Sequence, residues 1–225
     1  MPPFHPPWEI LITEAVYFLI ITCLCLIIYF MTKDIYNLSK HKGIYHFRNI
    51  FLYFSFAYLL RLINILLMSS REFFNIARPG TLYPLSMFLF SYFSTMAILS
   101  VITTLLMKNL KIKESRLNLV LHTIALISSF IVLVTRSHPI LMLIQIVILF
   151  VSIIFVIKGK HKRLVSQNKL TFGLLFIFWI LNLFILTERL FPWEYKIPLY
   201  VVSIAIFFSI YYRVHKRLTH VKKEG

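Results

Sequence analysis

Long apolar runs alternate with short polar or basic connectors along the whole chain. The runs predict seven membrane-crossing segments, at residues 10–31, 49–69, 84–107, 117–135, 139–157, 170–187 and 198–212, the last being the shortest. About 20 apolar residues in a helix cross a hydrocarbon layer of roughly 30 Å. Backbone polar groups in lipid must be satisfied within the segment, so each run is predicted to be an α-helix. Spans four and five are joined only through Arg136, Ser137 and His138, which forces them into an antiparallel pair. The expected fold is all-α, a single integral membrane domain of seven transmembrane helices.

The connectors complete this outline. Residues 1–9 hold four prolines and Trp8, and read as an extended arm anchored at the interface. Residues 32–48 read as a basic connector with Gly43 as its bend, and 213–225 as a basic cytoplasmic tail. A weak regularity at an offset of 118 aligns Asn64, Arg71 and Phe73 with Asn182, Arg189 and Phe191, so spans two and six are candidates for equivalent positions in a repeat.

Composition agrees with a membrane protein: 59% of residues are hydrophobic, 14% are charged and the mean hydropathy is +0.81. A formal charge of +16 would point to nucleic acid in a soluble protein. Here the basic residues cluster between apolar runs, where they act as topology signals, and no nucleic-acid partner is expected. Eighteen of the 24 lysines and arginines lie in alternate connectors and the tail, five on the opposite side, and Arg61 lies inside a span. The positive-inside rule places the amino terminus outside and the carboxyl terminus in the cytoplasm of a cell membrane crossed several times. Anionic lipids of the inner leaflet are the expected partners of the basic loops. Cys23 and Cys25, two apart on a helix, point away from each other and read as small buried hydrophobes.

Arg61 is the residue that this outline does not absorb. It interrupts the apolar stretch 51–68 near the midplane, on the outer side, where a charge costs on the order of a few kcal/mol. Tyr58, Arg61 and Asn64 are spaced by three and form a polar stripe that should face the bundle interior. Counting depth from the span ends puts Ser91 and Tyr92, Gln145, Asn182 and Ser203 in the same outer-half layer, with Glu14 and Tyr17 slightly higher. Glu14 is the only acid embedded in a span, and is the natural countercharge for Arg61; Glu188 at the outer mouth is a second candidate. Arg61, Glu14, Tyr58, Asn64, Tyr92, Gln145 and Asn182 therefore form a predicted polar layer that serves either as interhelical glue or as a cavity for a small polar or anionic ligand.

The remaining inventory excludes chemistry. His122 is the one histidine well inside a span, so neither a paired-histidine haem nor a three-histidine zinc site can be assembled there. Asp34 is the only aspartate, there are five glycines, and no HExxH, GxSxG or phosphate-binding glycine loop is present. Lys196 precedes the seventh span, so that span carries no lysine for a retinal Schiff base. The aromatic load covers lipid-facing and packing surface. No catalytic residues, metal or cofactor are expected, and the protein reads as not an enzyme.

In topology the arrangement resembles receptors and the seven-helix input modules of membrane sensor kinases, which implies a receptor-like or sensor-like module that signals through its basic loops to a cytoplasmic or membrane partner. The alternatives are a small secondary transporter with a Glu14–Arg61 coupling pair, and an accessory subunit of a membrane complex.

Overall fold

The computed structural model describes residues 8–40, 42–74, 82–106, 114–135, 138–158, 162–186 and 196–224. These residues form seven helices: α1 (Trp8–Ser39), α2 (Lys42–Phe74), α3 (Leu82–Leu106), α4 (Glu114–Thr135), α5 (His138–Lys158), α6 (Lys162–Leu186) and α7 (Lys196–Glu224). Five of them, α1 to α4 and α7, are long and apolar enough to cross a membrane; the apolar stretches of α5 and α6, 139–151 and 170–185, are shorter. The chain has the character of a helical membrane protein.

Several helices run past their apolar runs. The connector 32–48 is not a loop bent at Gly43: α1 continues to Ser39, α2 begins at Lys42, and Gly43 lies inside α2. The chain reverses at Lys40, whose φ of 49° is left-handed. Its amide donates to the Tyr36 carbonyl at 2.8 Å, the single bond that closes a left-handed helix cap. The positive φ is strained for a residue with a Cβ, and the Lys40 ammonium lies 5.7 Å above the Tyr36 ring, an attraction that helps to hold it. The tail is likewise a helix, as α7 runs on to Glu224. Pro84, Pro139 and Pro198 all fall in the first turn of α3, α5 and α7, where the missing amide proton has no intrahelical partner to lose.

Side-chain hydroxyls along the helices are mostly satisfied locally. Thr32 donates to the Ile28 carbonyl at 2.8 Å, Ser55 to Leu52 at 2.7 Å, Thr104 to Ser100 at 2.7 Å and Ser129 to Ala125 at 2.7 Å. A short hydroxyl can thus sit in an apolar helix without a partner from another helix.

The principal helix neighbours form a closed ring, α1–α2–α3–α5–α6–α7 and back to α1, with α4 outside it against α3 and α5. The neighbour order of α1, α2 and α3 is repeated by α5, α6 and α7. The apolar segment of α3 is 67% buried, against 28% in each of α4 and α7, so α3 is the most enclosed of the five long apolar helices.

The middle of the ring is filled by aromatic rings. Phe54 of α2 packs on Phe178 and Trp179 of α6 with ring centroids 5.6 and 4.9 Å apart. Phe178 meets Phe207 of α7 at 4.7 Å, and Phe51 meets Phe207 at 6.1 Å. Only large side chains reach across this width, which is why α2 joins α6 and α7 by ring contacts. Edge-to-face pairs of this kind contribute about 0.5–1.5 kcal/mol each beyond their burial. Phe56 and Phe208, next in sequence to core residues, point outward as the helical period requires.

Candidate ligand site around Arg61

Arg61 lies 13 residues before the end of α2, about 20 Å along the helix axis. Its Nη1 donates to the Oδ1 of Asn182 on α6 at 3.1 Å. The guanidinium lies over two rings, 4.8 Å from the centroid of Phe18 on α1 and 5.3 Å from that of Phe90 on α3. Four helices therefore meet at this group. Arg61 is half-buried, whereas Asn182 is buried. Among the described residues no carboxylate lies within ion-pair distance of it.

The expected countercharge is engaged elsewhere. Glu14 Oε1 accepts from the Tyr200 hydroxyl at 2.6 Å and pairs with Lys196 Nζ at 3.4 Å, so α1 is locked to the first turn of α7 and not to Arg61. Lys196 belongs to α7 as its first residue and its side chain is only 3% exposed, in contrast to the connector position expected of it. The cause is geometric: Lys196 and Tyr200 are four apart and share one face, and that face meets α1 at the height of Glu14. Glu188, the second candidate, lies outside the described residues.

The other members of the predicted layer separate into pairs. Asn64 accepts from the Ser86 hydroxyl at 2.6 Å, between α2 and α3. The Tyr92 hydroxyl meets His122 Nδ1 at 2.6 Å, which turns it outward from the ring towards α4. Gln145 donates through Nε2 to Ser94 Oγ at 2.8 Å, between α5 and α3, fully buried. Tyr58 points into the aromatic core, 6.0 Å from Tyr17 and 6.1 Å from Phe178 between centroids. Of the seven predicted residues, the structure thus brings only Arg61 and Asn182 into direct contact.

Ser86, Ser94, Lys196, Tyr200, Phe18 and Phe90 were not singled out by the sequence. The Lys196–Tyr200 spacing was a readable signal, while Phe18 and Phe90 carried none in a chain with 22 phenylalanines. Among the described residues no cluster of histidine, cysteine or acidic side chains could hold a metal ion.

Chemically, the site is a cation with spare donors. A guanidinium carries five N–H groups, and Asn182 accepts from one of them. Asn182 is a neutral partner, so it satisfies a donor and leaves the charge in place.

Comparison with known proteins gives one relative over almost the whole chain: an uncharacterized protein of Archaeoglobus fulgidus, 34% identical over 226 residues that cover 97% of this chain and 98% of the relative. The chain belongs to the same family as that archaeal protein. No family model matches the chain, and no solved structure matches it. The match covers nearly the whole of both chains.

The ion-pair assignment is tested by double-mutant cycles read from unfolding in detergent. Glu14→Gln with Lys196→Gln should show a coupling of about 0.5–3 kcal/mol, as for residues in contact, whereas Glu14→Gln with Arg61→Gln should be additive. Coupling to Arg61 and none to Lys196 would reverse the assignment.

Proposed function

We propose that the protein is a receptor-like or sensor-like module of the cell membrane that binds a small anionic or polar ligand at Arg61. All seven helices span the bilayer in this reading, with the amino terminus outside, the carboxyl terminus in the cytoplasm and the basic ends of the helices at the anionic inner leaflet. One observation carries it: a half-buried guanidinium whose side-chain partner is the neutral Asn182, with no carboxylate at ion-pair distance among the described residues. A charge at that depth is stabilised when an anion joins it, and a bidentate carboxylate or phosphate matches the planar fork of the guanidinium. A ligand held there bridges α2 to α6, and with Phe18 and Phe90 touches α1 and α3 as well. Such a bridge across the ring is the means by which binding alters helix packing and so the basic faces offered to a partner.

A transporter is the second reading, favoured by the repeated neighbour order of α1–α2–α3 and α5–α6–α7. It no longer includes a Glu14–Arg61 coupling pair, because Glu14 is held by Lys196 and Tyr200.

Binding is measured by the thermal shift of the detergent-solubilised full chain with acetate, phosphate and sulfate at constant ionic strength. Arg61→Gln should weaken the response about tenfold or more, the loss of one charge-assisted contact, while the variant remains folded. An unchanged response contradicts the reading, and flux of the same anion in proteoliposomes would favour transport over sensing. Orientation is checked with a carboxyl-terminal tag: it should resist protease in right-side-out vesicles and become cleavable on permeabilisation, and cleavage in intact vesicles would invert the topology.

A further inference from the structure

The hairpin of α1 and α2 holds a second arginine among rings. The Arg48 guanidinium lies 4.9 Å from the ring centroid of Tyr29, 5.0 Å from that of Tyr36 and 5.7 Å from that of Tyr45. Tyr29 and Tyr36 are seven apart on α1 and share one face, while Tyr45 and Arg48 are three apart on α2 and share the face that meets it. Lys33, exposed, falls between the two tyrosines on the same stripe of α1, four residues after Tyr29 and three before Tyr36. The Lys40 ammonium lies 5.7 Å from the Tyr36 ring that Arg48 also contacts.

This cage gathers positive charge and supplies no negative one. A ring face attracts a cation through its quadrupole but offers no lone pair to the N–H groups. The Nε of Arg48 is closed off from solvent and has no hydrogen-bond partner. Among the described residues no carboxylate lies within ion-pair distance of the guanidinium. Asp34, the only aspartate, stands two residues before Tyr36, which turns it to the opposite side of α1. A buried donor left without an acceptor is costly and rare, and beside two lysines it points to an anion from outside the protein.

We propose that Arg48, with Lys33 and Lys40, binds a phosphate group, supplied by the headgroup of an anionic lipid seated at the α1–α2 hairpin. The guanidinium fork matches two phosphate oxygens, and the three rings fix its position in advance. The height of the cage selects the lipid over a soluble phosphate. The apolar runs 10–31 and 49–69 end and begin at the cage, which sets it at the level of the headgroups, where tyrosine is favoured. A zwitterionic lipid brings a cation of its own against Lys33 and Lys40, so a net negative headgroup is preferred. The site is distinct from Arg61, which lies 13 residues further along α2, about 20 Å away along the axis. Only the assignment to the inner leaflet rests on the orientation proposed above.

Native mass spectrometry of the full chain in detergent measures the binding without reference to orientation. Phosphatidylglycerol should bind about tenfold more tightly than phosphatidylcholine with the same acyl chains. Arg48→Gln should remove about tenfold of the phosphatidylglycerol affinity, the loss of one charge-assisted contact. Arg48→Lys keeps the charge without the fork and should lose severalfold, so it carries the test should the glutamine variant fail to fold. Arg213→Gln removes one charge near the carboxyl end of α7 and should cost much less, and Arg61→Gln should leave the lipid preference in place. Affinity unchanged in the Arg48 variants, or lost equally in Arg213→Gln, overturns the site. Inorganic phosphate that displaces the lipid at equal concentration overturns the lipid as its source.

Discussion

A guanidinium placed in the middle of an apolar helix must be compensated, and the way this chain compensates Arg61 organises its polar interior. Asn182 supplies an acceptor without a charge, and Phe18 and Phe90 supply ring faces, so the cation is stabilised by a hydrogen bond and two quadrupoles. Glu14 would have neutralised it, but Glu14 is bound into a second centre with Lys196 and Tyr200. The two centres do different work. The Glu14 centre closes the ring by fastening the first helix to the last, and the Arg61 centre leaves a positive charge half-exposed between four helices.

The aromatic core is what permits both. Rings from α1, α2, α6 and α7 span a width that aliphatic side chains would leave hollow, and they hold α2 and α6 at the separation across which Arg61 reaches Asn182. Lipid tails provide no hydrophobic drive for helices to associate, so packing and interhelical hydrogen bonds carry the assembly. Here the polar pairs, Asn64 with Ser86, Tyr92 with His122 and Gln145 with Ser94, all tie a neighbour to α3. That accounts for the position of α3 inside the bundle, while α4, packed against α3 and α5, lies outside the ring.

The apolar runs were legible because hydrophobicity over 20 residues is a strong signal, and every predicted span from 10–31 to 170–187 falls within or within a residue of a helix. The ends were not, because helices extend beyond the lipid-length runs: polar residues such as Thr32 and Asn37 continue α1, and the reversal sits at Lys40, where sequence favours Gly43. The site was half legible. Residue counting gives a height along each helix, which correctly set Arg61 and Asn182 at one level, but it gives no azimuth. Tyr92 and Gln145, counted to the same level, turn to other partners, and Glu14 turns to α7. Lys196 was misplaced for a related reason: a proline two residues on looks like the start of a span, although proline belongs within a first helical turn.

The account rests on Arg61 being held across the ring by Asn182. A double-mutant cycle between Arg61→Gln and Asn182→Ala, read as unfolding free energy of the full chain in detergent, measures that contact directly. A coupling of about 1–2 kcal/mol is expected for an interhelical hydrogen bond to a charged group. Strict additivity would show that the two side chains do not meet, and the bridge between α2 and α6 would be lost with it.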